Sequence, residues 1–294
     1  MEKATVATRS LECCFGCHIS LLELHEELLD LFEAVDIKST PLNDVKTIPH
    51  VNVGLLEGAV GNEENEVVAR EMRQKSKILI ALGTCASFGG IPSMRNLHPV
   101  EEVLKRAYVD TESTVEGKIP QGAEIPKHLP KVRALNQVVE VDYYIPGCPP
   151  KPKQILAAIK TVLEGKAVIG PTHNLCRECD RYHEEMLIPQ RGFVTDSVCA
   201  LMELEEIDIK KCFLEQGVLC LGPATREGCG ASCPKVNIPC RGCYGPPPEA
   251  LEQGAKMVNA LASILPAGGL MILEDVVGSG YRYSMAISIA SGNK

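Results

Sequence analysis

Lys77-Ile78-Leu79-Ile80-Ala81-Leu82-Gly83-Thr84-Cys85 is the stretch that decides the fold. After Lys77 the apolar residues run unbroken until glycine stops them, a length that suits a strand better than a helix. A strand apolar at every position is buried on both faces, as in a parallel sheet covered by helices. Working outward, Val51–Leu56 is a second strand, ending in Glu57-Gly58. Between the two, Asn62–Ser76 is a charged helix with the acidic start that an N-terminus favours. Upstream, Lys3–Thr8 reads as a strand and Ile19–Phe32 as one amphipathic helix. Leu21, Leu24, Leu28 and Leu31 form its apolar stripe; Glu23, Glu26, Glu27 and Asp30 form its wet face. Downstream, Val139–Ile145 is a strand ending at Gly147-Cys148-Pro149-Pro150, and Gln154–Leu163 is the helix after it. This alternation predicts an α/β fold with a parallel, doubly wound sheet. The polar stretch Asp110–Val138, with Pro120, Pro126 and Pro130, reads as a surface loop or an insertion that orders against a partner.

The chain's 294 residues allow two domains. After about Gly170 the alternation breaks down into a region rich in Cys, Gly and Pro, with its best helix at Pro248–Leu265. The expected division is residues 1–168 for the sheet domain and 169–294 for the irregular one. Between Cys176 and Cys243 the apolar periodicity is too weak for a core of side chains alone, so metal clusters are expected to staple it. A net charge of −8 with no basic block argues against nucleic-acid binding. No apolar run is long enough to span a bilayer, and Met1-Glu2-Lys3-Ala4-Thr5-Val6 has no export-signal character. A cytoplasmic location is the expectation.

Cysteine is the outlier, at 14 residues. In a reducing compartment so many thiols need a reason to persist, and metal ligation by thiolate is the natural one. In an open parallel sheet, ligands bind beyond the carboxyl ends of the strands. Cys14 and Cys17 follow the first strand, Cys85 follows the Ile78 strand, and Cys148 follows the Val139 strand. Four thiolates from three loops therefore meet at one sheet edge and fit one 4Fe–4S cluster. Each alone has a blander reading, as a small buried hydrophobe or half of a zinc site. In the second region Cys176, Cys179, Cys212, Cys220, Cys229, Cys233, Cys240 and Cys243 make two further sets of four, for which zinc-ribbon sites remain an alternative to iron–sulfur.

Several motifs together resemble a known family, the small subunit of nickel–iron hydrogenases. They are Cys14-Phe15-Gly16-Cys17, Leu56-Glu57-Gly58-Ala59, Gly83 to Pro92 with Cys85, and Pro146-Gly147-Cys148-Pro149-Pro150. Later come Cys220-Leu221-Gly222-Pro223, Cys229 and Pro239-Cys240-Arg241-Gly242-Cys243, all in the family's order. The resemblance implies a flavodoxin-like first domain followed by an irregular, cluster-stapled one, with three 4Fe–4S clusters. By motif, the proximal cluster takes Cys14, Cys17, Cys85 and Cys148. The medial takes Cys229, Cys240 and Cys243, with Cys233 as a fourth ligand. The distal takes Cys176, Cys179, Cys212 and Cys220. His173-x-x-Cys176 offers another register for the distal pair; Arg181 falls where the family often has arginine, which favours Cys176 with Cys179. Cys13 stands where many relatives have glutamate and Cys199 matches no ligand position; both read as structural, with Cys13, which adjoins the proximal site, open to a second reading as a residue that tunes it. Glu57 reads either as a proton-path or hydrogen-bonding residue near the proximal cluster, or as a loop-capping carboxylate.

Absence of an export signal and three four-iron clusters resemble the cytoplasmic hydrogenases of methanogenic archaea, most of all the methyl-viologen-reducing, deazaflavin-non-reducing type. The resemblance implies an oxidoreductase complex whose nickel–iron centre lies on a separate large subunit. This chain would relay electrons from H2 to a small iron–sulfur subunit and on to heterodisulfide reductase, with no catalytic side chain of its own. The alternatives are the deazaflavin-reducing branch, a respiratory-type quinone oxidoreductase subunit with one cluster, and a zinc-binding structural module.

Overall fold

The structure, a computed structural model, describes residues 3–43, 45–168, 170–181, 208–263 and 275–291. They group into two compact units, one running to Val168 and including the segment from Met285 on, the other lying between Ile169 and Ser284. The sequence predicts that everything after residue 168 belongs to the second unit. The segment from Met285 instead joins the first, where Gln137 Nε2 donates to the Ala286 carbonyl at 3.0 Å.

A five-stranded parallel sheet forms the first unit: β1 (Ala4–Ser10), β2 (Val35–Ser39), β3 (Val51–Glu57), β5 (Ser76–Leu82) and β7 (Tyr143–Ile145), in the order β2-β1-β3-β5-β7. That is the flavodoxin-type strand order, with its switch point between β1 and β3. Period-two alternation sends Val53, Leu55, Ile80 and Leu82 to one face. There they pack with Leu31 of α2 (Glu27–Ala34) and Ile155 and Ile159 of α6 (Pro152–Leu163). Leu56, Leu79 and Ala81 go to the other face, against Ala69 and Met72 of α3 (Glu63–Lys75). Helices cover both faces, so the fold is the expected α/β one.

Three departures from the sequence reading have local causes. The helix expected over Ile19–Phe32 is two, α1 (Gly16–Leu22) and α2, because His25 turns left-handed at φ 51°. Leu21, Leu24, Leu28 and Leu31 all still meet the same core. Strand β7 is shorter than Val139–Ile145, because Asp142 uses its side chain to accept from the Leu79 amide at 2.7 Å and also pairs with Arg73. Finally, the expected loop Asp110–Val138, which follows α5 (Val100–Tyr108), contains β6 (His128–Arg133), antiparallel to β4 (Val60–Asn62).

The second unit has no strand among its described residues and is built from short turns and helices. These include α7 (Ser232–Lys235), α8 (Gln253–Ala262) and α9 (Val276–Tyr281). It does bury a small core, in which Leu175, Phe213, Leu214, Leu221, Met257 and Leu261 pack with Cys220 and Cys240. Side chains thus contribute more than the weak periodicity suggested, because they converge from separate turns instead of one helical face.

Candidate metal centres

Beyond the carboxyl ends of the strands, three loops carry the first set of thiols. After β1, Phe15 adopts φ 66° and α1 begins at Gly16, placing Cys17 in its first turn. After β5, the chain enters α4 (Gly83–Phe88), which carries Cys85. After β7 comes Gly147-Cys148. The last two loops are tied together: the Thr84 amide donates to the Gly147 carbonyl at 2.8 Å, and the Gly147 amide donates to Thr84 Oγ1 at 3.0 Å. Two glycines make room for sulfur. A Cβ on Gly83 (φ +84°) would lie 2.3 Å from Cys17 Sγ, and one on Gly90 (φ +54°) 2.5 Å from Cys85 Sγ.

The thiols are gathered closely enough that their neighbours disfavour the ionisation of Cys17, Cys85 and Cys148. Burial, then Glu57, Cys85, Cys148 and Cys14, push the Cys17 thiol far up. Burial, then Cys148 and Cys14, push Cys85 up to about 12. Burial and then Cys14 raise Cys148 as well. Without a cation the half-buried thiols of Cys17, Cys85 and Cys148 stay protonated; a bound metal core is what makes such a group of thiolates stable. The donor set therefore fits an iron–sulfur cluster.

Glu57, fully buried at the end of β3, is a hydrogen-bonding hub for this loop. It accepts from Ser10 Oγ at 3.2 Å, the Cys13 thiol at 3.0 Å and the His18 amide at 3.0 Å. His18 Nδ1 also stands 3.0 Å from Glu57 Oε2, at an ion-pair distance whose angle falls short of a hydrogen bond. Burial pushes the Glu57 carboxyl up, but His18, the Cys13 thiol and the His18 amide outweigh it, and the net direction is down. Cys13 is pushed up to about 12, by burial first and then by its bond to Glu57. The sequence reading missed His18, which is buried, stacks on Phe15 and bonds Thr8 Oγ1 at 2.9 Å through Nε2. Its signal was a histidine directly after Cys17, at the start of a helix facing a buried carboxylate.

In the second unit, Cys176, Cys179, Cys212 and Cys220 line one cavity of about 220 Å3, together with Arg181, Phe213, Gly222 and Cys240. Cys176 is raised by burial and then by Cys220, Cys212 and Cys179. His173 is exposed and outside this wall, so the geometry favours Cys176 in the set. Arg181 is buried over the Phe213 ring, 4.1 Å from its centre, and donates to the carbonyls of Asp208 and Lys211 beside Cys212. Cys240 is pushed up to about 12 by burial; the Gly242 amide and Thr225 partly offset this, while Cys243 and Cys229 add to it. That brings Cys229, Cys240 and Cys243 together. The remaining predicted ligand of that set, Cys233, lies exposed on α7. The two sets adjoin where the Cys240 amide donates to Cys220 Sγ at 3.3 Å. Cys199 lies outside the described residues. Among the described residues, no three His, Cys, Asp or Glu donors close around a single metal ion.

The profile of the family described as "NADH ubiquinone oxidoreductase, 20 Kd subunit" matches residues 14–162. One subunit of the F420-non-reducing hydrogenase of Methanothermobacter marburgensis is 37% identical over 98% of this chain and 96% of its own. One subunit of the F420-non-reducing hydrogenase vhu of Methanocaldococcus jannaschii is 43% identical over 85% of this chain and 84% of its own. The chain belongs to the family of NiFe-hydrogenase small subunits. Among solved structures, a chain of an NAD+-reducing [NiFe]-hydrogenase in the H2-reduced state is 38% identical, with a TM-score of 0.56 over 58% of this chain and 96% of that one. Membership makes the protein a subunit of an oxidoreductase complex, with a large-subunit partner and iron–sulfur binding expected of the family. No described helix is long and apolar enough to cross a membrane.

Proposed function

We propose that this chain conducts electrons singly between the nickel–iron centre of its large-subunit partner and a small iron–sulfur subunit, with heterodisulfide reductase beyond. The observation that carries this reading is the convergence of Cys14, Cys17, Cys85 and Cys148 from three loops onto the switch-point edge of the parallel sheet. Three 4Fe–4S clusters, when bound, supply one-electron sites. The chain's own residues ligate, bury and tune. Cys14, Cys17, Cys85 and Cys148 hold the proximal cluster. Cys229, Cys240 and Cys243 hold the medial one, with Cys233 completing it from α7. Cys176, Cys179, Cys212 and Cys220 hold the distal one. Burial and backbone amides aimed at sulfur set the potentials, as the Gly242 amide on Cys240 Sγ at 3.4 Å illustrates. Glu57 fixes the proximal loop by binding Ser10, Cys13 and His18 at once.

The respiratory-type reading draws support from the profile match, but residues 14–162 hold only the proximal set. The eight later cysteines favour the longer wire. The names of the relatives support an acceptor other than the deazaflavin coenzyme. Co-purification of the native complex, with its subunits identified, tests the reading. The expected preparation contains a nickel-bearing large subunit and reduces viologen dye with H2 without reducing the deazaflavin. Reduction of the deazaflavin by the intact complex would move the protein to the other branch.

A further inference from the structure

In the second unit, two carboxylates lace together the segments that carry Cys176, Cys179 and Cys229. Glu178 stands between the two cysteines of the first segment. Its Oε2 accepts from the amides of Gly228 at 2.9 Å and Gly230 at 2.8 Å, the residues on either side of Cys229. In the reverse direction, Glu227 Oε1 accepts from the amides of Thr172 and His173, both at 3.0 Å. Between these clamps the Leu175 amide donates to the Thr225 carbonyl at 2.7 Å, and Asn174 and Arg226 form an antiparallel bridge. Hydrogen bonds to a carboxylate are about twice as strong as neutral ones. One oxygen gripping both amides that flank Cys229 fixes the backbone from which its sulfur projects.

We infer that Glu178 is a positioning residue: it sets Cys229 against the Cys176–Cys179 turn, and so fixes the separation of the medial and distal sets. The inference rests on the ligand sets proposed above. Two substitutions separate geometry from charge. Glu178→Gln keeps an oxygen able to accept from both amides and removes the negative charge. Glu178→Asp keeps the charge and withdraws the oxygen by one methylene.

The test uses the whole complex, purified without oxygen and reduced with H2, with the medial and distal clusters followed by electron paramagnetic resonance during redox titration. Glu178→Asp should alter the spin–spin interaction between the two clusters with wild-type iron content and a medial potential close to wild type. Glu178→Gln should keep the wild-type interaction and move the medial potential upward, because a negative charge beside a ligand has gone. A wild-type interaction in Glu178→Asp overturns the positioning role. Should that variant fail to assemble, Glu178→Gln decides: an unmoved medial potential or a changed interaction overturns the inference. Absence of medial and distal signals in the wild type would instead overturn the ligand sets, and the clamp's role with them.

Discussion

Replacing Gly83 by alanine should cost this protein its proximal cluster while leaving the rest of the chain folded. Gly83 occupies φ +84°, where an L residue is strained by roughly 1–2 kcal/mol. Strain of that size lowers stability without unfolding a domain. The larger effect is steric. The new Cβ would lie 2.3 Å from Cys17 Sγ, against an ordinary contact of 3.4 Å or more. Cys17 must then retreat by about 1 Å, several times the roughly 0.2 Å tolerance of a metal–ligand bond. Gly165→Ala is the matched control: φ is +70°, but nothing lies within 4 Å of the new Cβ. Iron and acid-labile sulfide, measured on oxygen-free preparations, should fall by about four each in Gly83→Ala and by none in Gly165→Ala. Full iron in Gly83→Ala, with the stability loss of the control, would refute the placement of Cys17 at a metal core.

Cys148→Ser should impair the proximal cluster and the exit of electrons while leaving the partner's metal centre assembled, so normal H2-dependent dye reduction in that variant would count against the assignment. Cys233→Ser should change the medial cluster's magnetic spectrum and lower iron by about one, as a four-iron cluster gives way to a three-iron one; unchanged iron and spectrum would remove Cys233 from the set. Stripped of metal, the chain should lose stability as pH rises. Cys85, Cys220 and Cys240 are held up to about 12 in the fold, mainly by burial. An unfolded thiol ionises near pH 8.5. Between roughly pH 8.5 and 12 the unfolded state therefore binds fewer protons than the native one, and the slope of stability against pH is negative. Urea titrations of the metal-free chain at pH 7.5 and 10 would reveal the loss; equal midpoints would contradict the burial of these thiols.

How much was legible depends on whether a signal lay in one stretch of chain. The sheet was readable because Ile78 to Leu82 and Val51 to Leu56 are apolar at nearly every position, which two covered faces require. The edge rule then brought Cys14, Cys17, Cys85 and Cys148 together, and the structure gathers the same four. Strand β2 was missed although Val35-Asp36-Ile37-Lys38 alternates apolar and charged, because it follows directly on a helix with no turn residue between. The split at His25 carries no glycine or proline to announce it. The second unit's core was underestimated because Leu175, Phe213, Leu221 and Leu261 share no helical face and meet only in three dimensions. The clamps of Glu178 and Glu227 are of the same kind, since their partners are backbone amides some fifty residues away that no side-chain pattern encodes.

Acid-labile sulfide decides whether twelve thiolates hold inorganic cubes, because the partner's nickel–iron centre contributes none. Purified without oxygen as a complex with the large subunit alone, the protein should carry about twelve sulfides per chain and no stoichiometric zinc. About four sulfides would reduce the wire to its proximal cluster. Zinc in place of sulfide would mean that the cysteines build no electron wire at all.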